Sequence, residues 1–273
     1  LERRHRSLIL GLRAGSRAAA RATAGARYGL FVAPDDGMGA LVDALAQRLP
    51  AGVVRLRAPV DGLARDGAGW RLRAGGEALA ADALVLATPA HTAATLLAPL
   101  DAPLAQLLAG IDYASSATVT LGYRAADLPP EALRGFGFVV PAAEGRPLLA
   151  CTYASRKFPH RAPAGHELLR GFVGGALRPD LPALDDVTLI RTVRGELRAL
   201  LGIDATPELT RVHRYPRAMP QYAVGHLARV AAIDARVAAF PGLALAGGAY
   251  RGVGLPDCVR SGEAAADAVA PPR

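Results

Sequence analysis

Residues 243–269 read LALAGGAYRGVGLPDCVRSGEAAADAV, and no other stretch constrains the fold as tightly. Leu243–Ala246 is an apolar run that suits a buried strand. It delivers Gly247-Gly248 at its end, where a backbone without side chains can approach a ligand closely. Gly252 and Gly254 allow the next loop the same approach. Pro256 suits a first helical turn and Asp257 its positive end, so the spacing predicts a helix over Pro256–Val269. Strand, glycine loop and helix N-terminus together make a site for negative charge, either a pyrophosphate or an electron-rich flavin ring. A turn between a strand and a helix also needs glycine, so the glycines alone leave a structural reading open. The motif is not GxGxxG with a downstream acid, which excludes a Rossmann fingerprint at this position.

The preceding residues alternate between helical and strand patterns. Asp35-Asp36-Gly37 signals a turn, and Met38, Leu41, Val42, Leu45 and Leu49 recur at helical spacing. Period-two stretches follow: a strand at 53–56, a second at Val60–Arg65, and Trp70–Arg73 pairing onward across Gly75-Gly76. Leu84-Val85-Leu86-Ala87 reads as a strand buried on both faces. It stops at Thr88-Pro89, and a helix at His91–Leu97 follows. Four strands are expected at Ala117–Gly122, Gly137–Val140, Leu148–Tyr153 and Leu168–Val173. Then come a helix at Asp185–Leu201, a strand at Glu208–Tyr215 and a helix at His226–Ala239. A strand-rich middle between α/β segments implies two interleaved domains, the first and last segments belonging together. At the start, Glu2 to Arg13 reads as a helix without an N-cap residue, and the chain begins with Leu. That suggests a chain cut from something longer.

Composition removes several function classes. The chain has 273 residues and two cysteines, Cys151 and Cys258, outside any CxxC pair, so a disulfide framework or zinc site is not expected. That cysteine usage suits a reducing, cytoplasmic setting. Apolar runs fall far short of the roughly 20 residues a membrane-spanning helix needs. Seven arginines between Arg3 and Arg27 face one acid, Glu2, and supply six of the net eight positive charges. Such a stretch suits a nucleic acid, an anionic membrane surface or an acidic substrate, or simply a solvated basic helix and loop. No aromatic residue interleaves with them before Tyr28, which argues against nucleic acid. His5, His91, His160, His166, His213 and His226 show no ligand spacing and read as surface or capping residues. HExxH, GxSxG and P-loop motifs are absent, and no catalytic side chain or metal site is assigned.

The segment GGAYRGVGLPDCVRSGEAA resembles the C-terminal signature of the protoporphyrinogen oxidases of the FAD-dependent amine-oxidase superfamily, roughly AGNxYxGVGxPDCIxSGxxAA. It departs at Gly248, where many relatives carry Asn. DGMGALVDAL (36–45), ADALVLATPAH (81–91), GFGFVVP (135–141) and YPRAMPQYAVGH (215–226) resemble further family segments in the same order. The Pro-Asp-Cys step argues against the carotenoid desaturases and amine oxidases of that superfamily.

The resemblance implies a mixed α/β fold, the C-terminal part of a two-domain FAD-binding oxidase. Residues 1–30 would end a helical substrate or membrane-contact region. Residues 31–95 and 221–273 would belong to the FAD-binding domain, and 96–220 to a substrate domain with a mixed antiparallel sheet. It implies FAD contacts at Val60, Gly247, Gly248, Val253, Gly254 and Leu255. Phe136, Val139 and Phe172 match apolar positions that line the tetrapyrrole, although core packing is the competing reading for all three. The implied reaction oxidises a porphyrinogen, either protoporphyrinogen or coproporphyrinogen, with oxygen as acceptor. Peripheral membrane contact is implied as well, and homodimer formation stays open. The strand–GxGxxG–helix unit with which relatives begin is not found in these residues. The expectation is therefore a chain that does not close an FAD site alone, exposes a sheet edge and dissolves poorly. A non-catalytic partner that completes its fold with a separate N-terminal chain is the alternative from another class.

Overall fold

A computed structural model describes residues 33–158 and 160–270. The expected helix at Glu2–Arg13 and the basic segment 1–30 lie outside these residues. Helix α1 (Gly39–Gln47) forms where the spacing of Met38, Leu41, Val42 and Leu45 predicts it, but it buries none of its residues. The strand expected at 53–56 does not form. Val53, Val54 and Leu56 are exposed, and the segment pairs with no other strand among the described residues. A ladder needs a partner, and β propensity without one leaves the chain irregular.

Strands β1 (Val60–Asp66), β2 (Gly69–Ala74) and β3 (Glu77–Ala81) make an antiparallel meander, with Gly75-Gly76 turning the second hairpin as expected. β4 (Leu84–Leu86) leads through Thr88-Pro89 into α2 (Ala90–Leu97). The next helix, α3 (Ala102–Ala109), was not expected from the sequence, although its signals are there. Asp101 caps it by accepting from the Leu104 N–H at 2.9 Å, and Pro103 sits in the first turn.

The middle of the chain is one antiparallel sheet. Its strands are β5 (Tyr113–Arg124), β6 (Gly137–Val139), β7 (Leu148–Tyr153), β8 (His166–Gly174) and β9 (Leu209–Pro220), in the spatial order β6-β7-β8-β5-β9. Helix α4 (Asp186–Leu201), capped by Asp185, covers one face. Leu189, Val193 and Leu197 meet Val119, Leu121, Leu169 and Val173 there, and all seven are fully buried. The opposite face carries Val139, Phe172, Arg170 and His213. β9 runs past Tyr215 to Pro220, farther than expected, because an irregularity beside Ala114–Ser116 lets pairing resume. Arg217 sits in that irregularity at φ +43, its N–H donating to Ser115 Oγ at 2.9 Å.

Helix α5 (His226–Val237) and strand β10 (Leu243–Leu245) bring the chain back to β4. β10 pairs with β4 in parallel, Leu243 to Leu84 and Leu245 to Leu86. A second core joins Trp70, Leu97, Leu104 and Leu108 to Ile233, Leu243 and Tyr250. It thus unites residues 63–111 with residues 230–250. Helix α6 (Leu255–Val269) closes the described chain and covers Ala244 with Ala265. β4 departs from the expectation of burial on both faces. Leu86 is buried, but Val85, the register partner of Ala244, is 37% exposed. The pair β4–β10 has no third strand among the described residues.

Candidate functional site

Parallel strands end on one edge, and β4 and β10 do so at Thr88 and Gly247. In open α/β sheets that edge is where ligands bind, because loops there are free of the ladder. The Ala246 N–H still donates to the Leu86 carbonyl at 3.0 Å, so the ladder holds up to the glycine pair. Gly247 then adopts φ +118, a conformation closed to most side chains. Its N–H donates to Ser261 Oγ at 2.9 Å, which ties the turn to α6. An added Cβ at Gly247 would meet nothing within 4 Å, so open space lies beside this backbone.

Gly248 lies against Val253: a Cβ there would sit 3.4 Å from the Val253 Cα and 3.7 Å from Cys258 Sγ, ordinary contacts. The asparagine that many relatives carry is therefore sterically admissible, and glycine here is a departure the backbone does not demand. Gly252 is different. At φ +154 its added Cβ would collide with the carboxylate of Asp257. That carboxylate is folded back beneath the loop and paired with Arg260.

Helix α6 begins at Gly254, whose residue type offers no side-chain cap. Its first N–H groups are thus available to an oxygen-bearing ligand, with the positive end of the dipole behind them. Asp257 in the first turn adds negative charge beside the same end. Of the two ligands that the sequence left open here, a doubly charged phosphate would face that carboxylate. A polarised carbonyl of a flat ring carries no net charge and would be repelled less. Val253 and Leu255 are both more than half exposed and present apolar surface beside the helix end.

Two residues that sequence reasoning did not assign hold the loop in place. Tyr222, just beyond β9, donates its hydroxyl to the Gly248 carbonyl. It stacks on the His226 ring with centroids 4.2 Å apart. His226 Nε2 lies 2.9 Å from the Tyr250 carbonyl, which makes that nitrogen the donor. His226 is therefore buried loop support, not the surface or capping residue expected. Their signal lies in segment 215–226, whose resemblance to a family motif gives no role to either residue. Burial raises the Tyr222 hydroxyl pKa and pushes that of Tyr250 far up, so both stay protonated at neutral pH, and the Tyr250 hydroxyl is buried without a partner among the described residues.

The remaining candidates fall into two places. Val60 opens β1 and lines a groove of about 810 Å³ with His91, Thr92 and Arg217, which none of the glycine-loop residues share. Burial, and then the charge of Arg217, lower the pKa of His91, which is neutral at pH 7. Its Nδ1 and the Thr88 Oγ1 are buried without a hydrogen-bond partner among the described residues. Val139 and Phe172 share the open face of the five-stranded sheet. Register places Val139 opposite Ala150, Ala150 opposite Phe172, and Phe172 opposite Thr118, in one cross-strand row. Phe136 lies just before β6, half exposed, its carbonyl accepting from the Tyr153 N–H at 3.0 Å. No group of three or more His, Cys, Asp or Glu residues that could hold a metal occurs among the described residues. Burial pushes the Cys151 thiol up to about 12, so it is inert in the sheet core.

A flavin nucleotide fits this surface as far as the surface extends. The open space at Gly247, the uncapped α6 N-terminus and the orphaned Thr88 hydroxyl all belong to one wall.

Comparison with known proteins places that wall in context. Residues 2–270 match the family of flavin containing amine oxidoreductases. Coproporphyrinogen III oxidase of Bacillus subtilis (strain 168) is 33% identical over 267 residues, which cover 97% of this chain and 56% of that relative. The coproporphyrinogen III oxidase of Propionibacterium freudenreichii subsp. freudenreichii is 37% identical, with 98% and 55% covered. Human protoporphyrinogen oxidase is 32% identical, with 98% and 59% covered. A solved chain from Exiguobacterium sp. 255-15 superimposes with a TM-score of 0.81 at 30% identity, over 98% of this chain and 56% of that one. Cyclohexylamine oxidase from Brevibacterium oxydans IH-35A, at 19% identity and TM-score 0.65 over 85% of this chain and 52% of its own, shares the fold. The chain spans about half the length of the curated relatives it matches.

Proposed function

The chain belongs to the flavin-containing amine oxidoreductase family, and from that premise we propose that it supplies one wall of an FAD site and the substrate face of a porphyrinogen oxidase. The observation that carries the reading is the link between the two surfaces. β9 forms one edge of the five-stranded sheet and runs on to Tyr222, whose hydroxyl holds Gly248. The face carrying Val139 and Phe172 and the loop carrying Gly248 and Val253 are thereby joined through one strand.

Bound FAD would accept hydride, with oxygen regenerating it. The residues of this chain do the rest without an acid, base or nucleophile. Gly247, Gly248, Val253, Gly254 and Leu255 would lie against the ring, and the α6 dipole would favour added electron density there. Phe172 and Val139 would support a flat tetrapyrrole and exclude water from its face. Val60 would take the adenine end, in its own groove away from the loop. The names of the relatives favour coproporphyrinogen or protoporphyrinogen as substrate.

The test uses the 273-residue chain alone and together with the amino-terminal portion of the Bacillus subtilis relative. Alone it should purify without a flavin spectrum. The assembled pair should be yellow, consume oxygen and turn coproporphyrinogen into a fluorescent porphyrin. A yellow chain on its own would overturn the one-wall reading. A flavin-loaded pair inert toward both porphyrinogens would overturn the substrate.

Placement at the cytoplasmic face of a membrane is part of the same proposal. It is supported by the arginines of residues 1–30, and the described residues contain no helix long and apolar enough to cross a membrane. Neutralising Arg13, Arg17 and Arg21 should weaken sedimentation with anionic liposomes, and unchanged sedimentation would remove the proposal.

A further inference from the structure

The open face of the five-stranded sheet carries a second row beside the one that holds Phe172. In it Arg170 lies opposite Thr120, and Thr120 opposite Arg211. Cross-strand partners share a face, so a short hydroxyl residue separates two arginines on strands about 10 Å apart. Thr120 is buried between them, and Arg170 Nε reaches its Oγ1 at 3.4 Å. Both arginines are exposed.

Several other cations on or beside this sheet have acids, although Arg217 in β9 has none among the described residues. Arg124 and His166, at the far end of the same face, share Glu208 at 2.5 and 3.2 Å. Arg214, on the opposite face, pairs with Asp186, and Arg156 with Glu167. Arg170 and Arg211 have no acidic partner among the described residues. Two like charges held in one row without a counter-charge repel each other, and an anion placed between them removes that cost.

We infer that Arg170 and Arg211 hold ionised carboxylates at the edge of the tetrapyrrole whose ring lies on Phe172 and Val139. This rests on the reading of that face as the substrate face. Rows on one face of a strand are about 7 Å apart, which matches a ring on one row and its carboxylate side chains reaching the next. A guanidinium presents two parallel N–H groups to a carboxylate, and Thr120 steadies the fork of Arg170. The ligand class is thus a flat, apolar macrocycle with carboxylate substituents on the side toward β9.

The test is fluorescence titration of the 273-residue chain with coproporphyrin III, which bears four carboxylates, and with its uncharged tetramethyl ester. Arg170→Gln and Arg211→Gln should each weaken coproporphyrin binding about tenfold, the usual size of a lost charge-assisted hydrogen bond. Ester binding should stay unchanged. Arg170→Lys should recover part of the loss, and Arg214→Gln, on the other face, should have no effect on either porphyrin. Circular dichroism melts identify any variant that unfolds, and the lysine variant then decides. If the arginine variants bind coproporphyrin as tightly as the parent while Phe172→Ala weakens both porphyrins, this inference fails and the substrate face stands. If the parent binds neither porphyrin, alone or in the assembled pair, the substrate face falls and the inference with it.

Discussion

Helices α4 and α1 present the same apolar spacing and meet opposite fates. In α4, Leu189, Val193 and Leu197 are fully buried against the five-stranded sheet. In α1, Leu41, Val42 and Leu45 are between 43% and 65% exposed, and nothing among the described residues covers them. Periodicity specifies that a helix has an apolar face; it does not supply the surface that face rests on. For α4 the surface is β5 and β8, carried by the same chain. The same contrast separates the five-stranded sheet from the β4–β10 pair, whose Val85 stays exposed beside a buried Ala244.

The sharpest way to break the comparison is to truncate one leucine on each helix. Leu197→Ala should cost about 2–5 kcal/mol in urea unfolding, from lost burial and a cavity. Leu45→Ala should cost less than about 0.5 kcal/mol, as exposed substitutions do. A loss at Leu45 as large as that at Leu197 would mean that α1 is packed after all.

Next in size comes the glycine loop, where strain is local. Gly252→Ala places a Cβ on the Asp257 carboxylate at a φ of +154, and should cost about 1–3 kcal/mol. Hydrogen exchange should show the loss confined to the loop and the first turn of α6, with β5–β8 unchanged. Protection lost evenly across both sheets would refute that confinement.

Tyr222→Phe should have a smaller effect, about 1 kcal/mol, because it removes one hydrogen bond and keeps the stack on His226. The Gly248 amide region should exchange faster in this variant; unchanged exchange would show that the loop holds itself.

The smallest effect concerns pH. The hydrogen bond from Arg124 holds Glu208 below the usual carboxylate range. A carboxyl depressed in the folded state stabilises it above the unfolded carboxyl pKa of about 4.3, and that contribution is lost as pH falls through the folded value. Glu208→Gln should therefore lower the melting temperature slightly at pH 7 and converge with the parent as pH falls below about 4.3, so that its acid limb is shallower. An acid limb identical to the parent's would show that the exposed pair contributes nothing.

Much of this was legible before any coordinates. The closing strand, loop and helix stand where Leu243, Gly247 and Pro256 place them, because strand ends, glycine turns and helix starts are decided within a few residues. The Gly75-Gly76 hairpin and the run of strands from 113 to 174 are local in the same sense. Segment 53–56 has the pattern of a strand and forms none, because a strand exists only in its pairing. Helix α3 is announced by Asp101 and Pro103, a cap and a first-turn residue, and the apolar run of β4 does not by itself supply a cover for Val85.

What the sequence determined by itself is the inventory: which stretches are apolar, where the turns fall, and the ordered motifs that mark the family. Tertiary structure alone decided which residues meet. Val139 and Phe172 lie 33 positions apart and share a row only because β7 stands between β6 and β8. Arg170 and Arg211 flank Thr120 for the same reason. Tyr222 reaches Gly248 because β9 runs on past Tyr215. Register is a relation between segments distant in the chain, and no window of sequence contains both sides of it.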